Sequence, residues 1–154
     1  MAKVFRILAF AWLLLAGAAA GLAADNGARY QVDIVRAGIG EESLPENVVI
    51  TTLQSHEGYL WMGTYQGGLA RYDGARFVVF NKNNTPNLTD NQIVHLFEDS
   101  RSNLWVGTAA KGVQLIHDGQ VENLGIGAGS RESRLMSACE DSTCAVWLYT
   151  ADGG

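Results

Sequence analysis

Proline occurs only twice in 154 residues, cysteine twice and histidine three times, and charged side chains make up 18 %. The shortage of charge beside 47 % hydrophobic residues excludes a disordered acidic tail, which needs far less apolar content. Basic residues are also in deficit, 11 against 16 acidic ones, and the sequence pI is near 5.1. An ordinary basic nucleic-acid binder is therefore excluded. Glycine is the exception to this sparseness. Eighteen glycines with so few prolines point to tight turns between strands. The length fits one domain, or part of one.

Only one long apolar run exists. Lys3 and Arg6 precede an uncharged stretch over residues 7–24, whose end turns to Ala and Gly. Gly21-Leu22-Ala23 places small residues at the −3 and −1 sites of a cut after Ala23, the order of a secretory signal. An uncleaved anchor is the alternative, since 18 apolar residues just span a bilayer. Either way the remainder is expected outside the cytoplasm.

The rest is a repeat. Leu60-Trp61-Met62-Gly63-Thr64 recurs 44 positions later as Leu104-Trp105-Val106-Gly107-Thr108. At the same offset Leu44, Asn47, Val49 and Leu53 fall on Leu88, Asn91, Ile93 and Phe97, and Gly68-Leu69 falls on Gly112-Val113. A third copy starts near Leu135, where Glu140-Asp141-Ser142 stands for Glu98-Asp99-Ser100 and Val146–Thr150 for Leu104–Thr108. This divides the chain into a signal (1–23), a lead-in (24–43), two repeats (44–87 and 88–132) and an incomplete third (133–154).

Within the first repeat, β-rich runs at Val48–Gln54, Tyr59–Thr64, Leu69–Tyr72 and Phe77–Phe80 are separated by turn signals. Four strands per unit of about 40–45 residues is the pattern of a propeller blade. The expected fold is all-β, a partial β-propeller of about two and a half four-stranded blades behind an N-terminal signal helix. Stacked blades cover apolar faces that a single sheet exposes. Trp61, Trp105 and Trp147 share one strand position and are expected to fill the gaps between blades. Gly63 and Gly107 permit close backbone approach, and Thr64 and Thr108 follow them, whereas Tyr149 replaces the glycine in the third copy. The strand Tyr30–Arg36 has no partner blade here, and about four to eight blades are needed to close a ring. Open edges of this kind are an aggregation hazard.

LWMGTYQGGLARYDG (60–74), EDSRSNLWVGT (98–108) and, more weakly, EDSTCAVWLYT (140–150) resemble the two-component regulator propeller repeat. The resemblance covers about residues 30–154. It implies an exported sensory propeller, in the periplasm or on the periplasmic face of the inner membrane, followed in relatives by a small β-sandwich, a membrane helix and a cytoplasmic output domain. That output is a histidine kinase or a diguanylate cyclase. This chain then reads as the N-terminal piece of such a sensor, non-catalytic in itself. Its partners would be a small-molecule or saccharide signal, the remaining blades and the output domain.

Chemistry-bearing patterns are few. His56, His95 and His117 are 39 and 22 residues apart, without the local spacing of a metal motif. His95 aligns with Thr51 and Ser137 and is expected to be a hydrogen-bonded strand residue. Glu41-Glu42, Glu98-Asp99 and Glu140-Asp141 are acidic pairs, the last two at one repeat position, where solvated turn carboxylates are expected. No catalytic residue, cofactor or metal is expected. Asn87-Leu88-Thr89 matches a glycosylation sequon. Cys139 and Cys144 flank a hairpin turn, with Phe97 and Ser102 as their counterparts, and a stapling disulfide is expected between them. Candidate ligand loops are Tyr65–Gly68, Ala109–Gly112 and Asn81–Asn87, with Tyr65, Gln66 and Lys111 as candidate contacts. Two other functions remain open: a protein–protein scaffold, and a propeller enzyme similar to streptogramin lyase. The lyase-like repeat resembles Trp-Phe-Thr-Glu, and here Trp-Met-Gly-Thr and Trp-Val-Gly-Thr lack its acid.

Overall fold

A computed structural model describes residues 43–126 and 134–151. The signal segment 1–23, the strand expected at Tyr30–Arg36, Glu41, Glu42 and the final turn at 152–154 lie outside the described residues. Ten strands follow in chain order: β1 (Val49–Gln54), β2 (Leu60–Thr64), β3 (Leu69–Tyr72), β4 (Phe77–Phe80), β5 (Ile93–Glu98), β6 (Leu104–Thr108), β7 (Val113–His117), β8 (Gln120–Asn123), β9 (Leu135–Glu140) and β10 (Val146–Thr150). The described residues contain no helix.

The strands form two four-stranded antiparallel meanders, β1-β2-β3-β4 and β5-β6-β7-β8, and a two-stranded sheet of β9 and β10. The described residues form an all-β partial propeller. Two strand starts fall one residue later than the sequence pattern indicates, because the preceding residues serve loops. Val48 O accepts the Tyr65 N–H at 3.0 Å, and Tyr59 O accepts the Ser55 N–H at 2.9 Å. Glycine turns at positive φ, such as Gly68 at 91°, let the chain reverse between strands.

Register repeats between blades. Leu53 pairs with Trp61, Phe97 with Trp105 and Cys139 with Trp147, and each hairpin carries an irregularity at its far end, between Val49 and Thr51, Ile93 and His95, and Tyr149 and Thr150. The first strands of successive blades are neighbours, with β5 packed against both β1 and β9. The main core lies between the first two sheets, where Trp61 and Leu69 of one meet Ile93, Leu96, Val106 and Ile116 of the other. A second cluster of Leu44, Met62, Ala70 and Phe77 covers the other face of the first sheet. Each fully buried aliphatic side chain contributes about 1.5–3 kcal/mol, so burial between sheets outweighs any single turn interaction.

Candidate functional site

The antiparallel meander places the candidate ligand loops at one end of the blades. Tyr65–Gly68 is tied down by its backbone. The Glu46 carboxylate accepts the N–H groups of Gln66 (2.5 Å) and Gly67 (2.9 Å), and Gly68 N–H reaches across to Asn91 O at 3.0 Å. Thr64 and Thr108 are fully buried and close their loops by donating to Gly68 O at 2.7 Å and Gly112 O at 3.0 Å. They occupy the place of the acid in the lyase-like repeat, where a buried hydroxyl already spent on a carbonyl offers no general acid.

With their backbones held, Tyr65, Gln66 and Lys111 expose their side chains. Lys111 N–H donates to Thr108 Oγ1 at 3.1 Å, and Lys111 O accepts from Gln114 Nε2 at 3.3 Å. Gln114 Nε2 also donates to Thr89 Oγ1 at 3.1 Å, while the buried Gln114 Oε1 has no partner among the described residues. The third loop, Asn81–Asn87, caps sheet edges: Asn84 Nδ2 donates to Val79 O and Asn87 Nδ2 to Val121 O, both at 2.9 Å. The sequon asparagine is therefore already engaged. A groove of about 390 Å³ runs beside these caps, lined by Val78, Asn84, Pro86 and Gln120. It does not include Tyr65, Gln66 or Lys111.

At the opposite end the carboxylates of Glu98-Asp99 and Glu140-Asp141 are hydrogen-bonded at their hairpin turns. The Glu98 side chain and Asp99 are buried, unlike the solvated carboxylates expected, while Asp141 stays partly exposed. Asp99 is buried, and accepts the N–H groups of Arg101 (3.0 Å) and Asn103 (2.9 Å), Asn103 Nδ2 (2.8 Å) and Trp105 Nε1 (2.9 Å). Burial pushes its carboxyl up, but the Asn103 and Trp105 donors and the two backbone N–H groups bring it below the usual range. Asp141 repeats the arrangement with Thr143, Ala145 and Trp147 Nε1 (2.7 Å), and these donors hold it far below the usual range. Each aspartate thus fixes a hairpin turn and the orientation of its tryptophan ring.

The neighbouring glutamates cross between blades. Glu98 Oε2 accepts the His56 N–H at 2.9 Å and lies 3.1 Å from His56 Nδ1. Glu140 accepts Ser100 N–H at 2.7 Å and Ser100 Oγ at 2.6 Å. His56 and Ser100 are equivalent repeat positions, so one clasp is used at both joints. Composition gave no hint of it. The signal was the recurrence of an acid at the end of each later blade's first strand.

The blade-core positions differ in exposure. Trp61 is 7 % exposed, packs 5.6 Å from Phe80 between ring centroids, and has the Arg71 guanidinium over its ring. Trp105 is half-buried, and Trp147 is 63 % exposed. Gly63 and Gly107 are seats for the next blade. A Cβ on Gly63 would lie 2.7 Å from Ile93 Cγ2, and one on Gly107 2.6 Å from Leu135 Cβ.

Both cysteines are free thiols, which corrects the expected Cys139–Cys144 bridge. The register puts Cys139 opposite Trp147 and Phe97 opposite Trp105, while Cys144 sits in the turn at φ 62°. The histidines remain apart: His56 is on Glu98, His117 Nε2 lies 3.1 Å from Asp118, and His95 is partly buried in β5. The His95 ring makes no hydrogen bond among the described residues, contrary to expectation, and desolvation lowers its pKa. No cluster of three metal-ligating side chains occurs among the described residues.

The two-component regulator propeller family profile matches residues 43–66 and 87–110, the first two strands and preceding segment of each full blade. The chain carries two-component regulator propeller repeats. The structure is similar to the extracellular domain of BT3049 from B. thetaiotaomicron, described as a hybrid two-component system, with TM-score 0.67 and 21 % identity. That match covers 79 % of this chain and 17 % of the other. The extracellular domain of BT4673 from the same organism, likewise described as a hybrid system, gives TM-score 0.58 and 23 % identity over 80 % of this chain and 18 % of that one. This chain thus spans less than a fifth of each neighbour, and the likeness establishes the propeller architecture. Comparison with curated proteins gives no match.

Proposed function

We propose that this chain is the exported N-terminal part of a sensory β-propeller, taking up a small-molecule or saccharide signal outside the cytoplasm and passing it to an output domain. The observation that carries this reading is the pair of two-component regulator propeller repeats, each with its blade-end loop closed by hydrogen bonds from its threonine, and with Tyr65, Gln66 and Lys111 exposed. Tyr65, Gln66 and Lys111 offer an aromatic face, an amide and a cation, groups suited to a polar neutral or anionic ligand. The signal-like segment over residues 1–23 supports export. A ligand acts on the output only through its different affinity for two states of the receptor. The role of this chain is binding rather than catalysis. Sequencing the coding DNA past codon 154 tests the proposal. Further units of 42–45 residues, a membrane helix and a kinase or cyclase domain are expected, and an immediate stop codon would overturn the sensor reading.

A further inference from the structure

The two joints between blades share one construction. A branched aliphatic residue at the start of a blade, Ile93 or Leu135, is fully buried against the preceding glycine, Gly63 or Gly107. Five residues on, Glu98 or Glu140 holds the preceding hairpin at His56 or Ser100. The third sheet presents the same face once more, with two changes. Tyr149, 59 % exposed, stands at the glycine position, beside Trp147 at 63 % and opposite Ser137. Ser142 occupies the His56 and Ser100 position, and no carboxylate holds it among the described residues.

We propose that the face formed by Cys139, Trp147 and Tyr149 docks a further blade of altered complementarity. Its first strand carries a small residue, glycine, alanine or serine, where Ile93 and Leu135 stand. Five positions later it carries an acid that accepts from Ser142. This rests on the propeller reading above and specifies one joint of it. At the two existing joints there is no room even for a Cβ beside the incoming aliphatic side chain, so Tyr149 and an isoleucine cannot share the same spacing. Trp61 shows what a docked blade does to the equivalent ring, which falls to 7 % exposure. A second copy of this chain does not supply the partner. Its first blade has Val49 and Gln54 at the two key positions, and the face bearing Met62, Ala70 and Phe77 is already buried.

Four extended chains, compared with the unextended chain, test the proposal. The full sequence is extended beyond Gly154 by strands completing the third blade and by a copy of residues 88–126. The copied blade is made either unchanged or with Ile93→Gly, each in the native and Tyr149→Gly backgrounds. Every chain carries Cys144→Ser, so that iodoacetamide reports on the Cys139 thiol alone. With Tyr149 present, the glycine-bearing blade is expected to slow Cys139 alkylation about tenfold relative to the unextended chain, and the isoleucine-bearing blade much less. Tyr149→Gly should reverse that order. Misfolding of the isoleucine chain that Tyr149→Gly cures is the same expected reversal. Equal protection by both blades, unaffected by Tyr149→Gly, would overturn the complementarity while leaving the propeller reading intact. No protection in any of the four would overturn both.

Discussion

Asp99 shows how much one side chain can hold in a blade. Four donors converge on its carboxylate, two from backbone and one each from Asn103 and Trp105. Burial disfavours the charge, and the donors more than offset that, so the folded carboxyl titrates below its unfolded value near 3.9. The sign follows from linkage. A depressed carboxyl contributes stability that is fully present above the unfolded value and is lost as pH falls through the folded one. Asp99→Asn replaces two acceptor oxygens with one and turns an amide toward the Asn103 and Trp105 donors. We expect about 1–3 kcal/mol lower stability at pH 7. The fall in melting temperature between pH 5 and pH 2 should also be shallower than in the native chain. Thermal melts at these three pH values check both, and an unchanged acid dependence would remove Asp99 from this role.

At the scale of elements, what links one sheet to the next is apolar burial fastened at one end by a glutamate. The Glu98 side chain is 8 % exposed, while its partner His56 is 73 % exposed, so the carboxylate and backbone N–H, rather than the imidazole, carry the contact. Glu98→Ala is expected to cost about 1–2 kcal/mol and to speed hydrogen exchange at the His56 amide, leaving the Ser100 amide unchanged. Glu140→Ala should do the converse. Amide exchange resolved by residue would show it, and loss of protection at neither amide would refute the clasp. The blades themselves were legible in the sequence because strands and turns leave local marks: Phe77–Phe80 and Leu69–Tyr72 fall where the pattern of β-rich runs and glycines puts them. The clasp was not legible, since an acid before a turn looks solvated when its partner lies about 40 residues away in sequence. The cysteines misled for a related reason. Flanking a turn is a statement about sequence, whereas pairing depends on register, and Phe97 opposite Trp105 already fixes Cys139 opposite Trp147. The ligand loops were visible as polar, glycine-rich connections, but their restraint by Glu46 and Asn91 comes from residues outside the loops.

Across the whole set of described blades, the three equivalent tryptophans measure how far each face is covered. Trp61 faces a complete neighbouring blade, Trp105 a two-stranded one, and Trp147 none among the described residues. Their chemistry is the same, so differences in what truncation costs must come from surroundings. Trp61→Ala removes a ring packed against Phe80 and Arg71 and leaves a void between sheets, for an expected loss of about 3–5 kcal/mol. Trp147→Ala forfeits mainly a solvent-exposed hydrogen bond to Asp141 and is expected to cost least of the three. Trp105, half-buried and bonded to Asp99, should fall between them. Urea unfolding of the three variants in this chain gives the order directly. Equal costs would mean that each tryptophan acts within its own hairpin, and that contact between blades adds little. A graded order assigns the difference to the neighbouring sheet. In a chain whose next blade is in place, Trp147→Ala should then cost as much as Trp61→Ala does here.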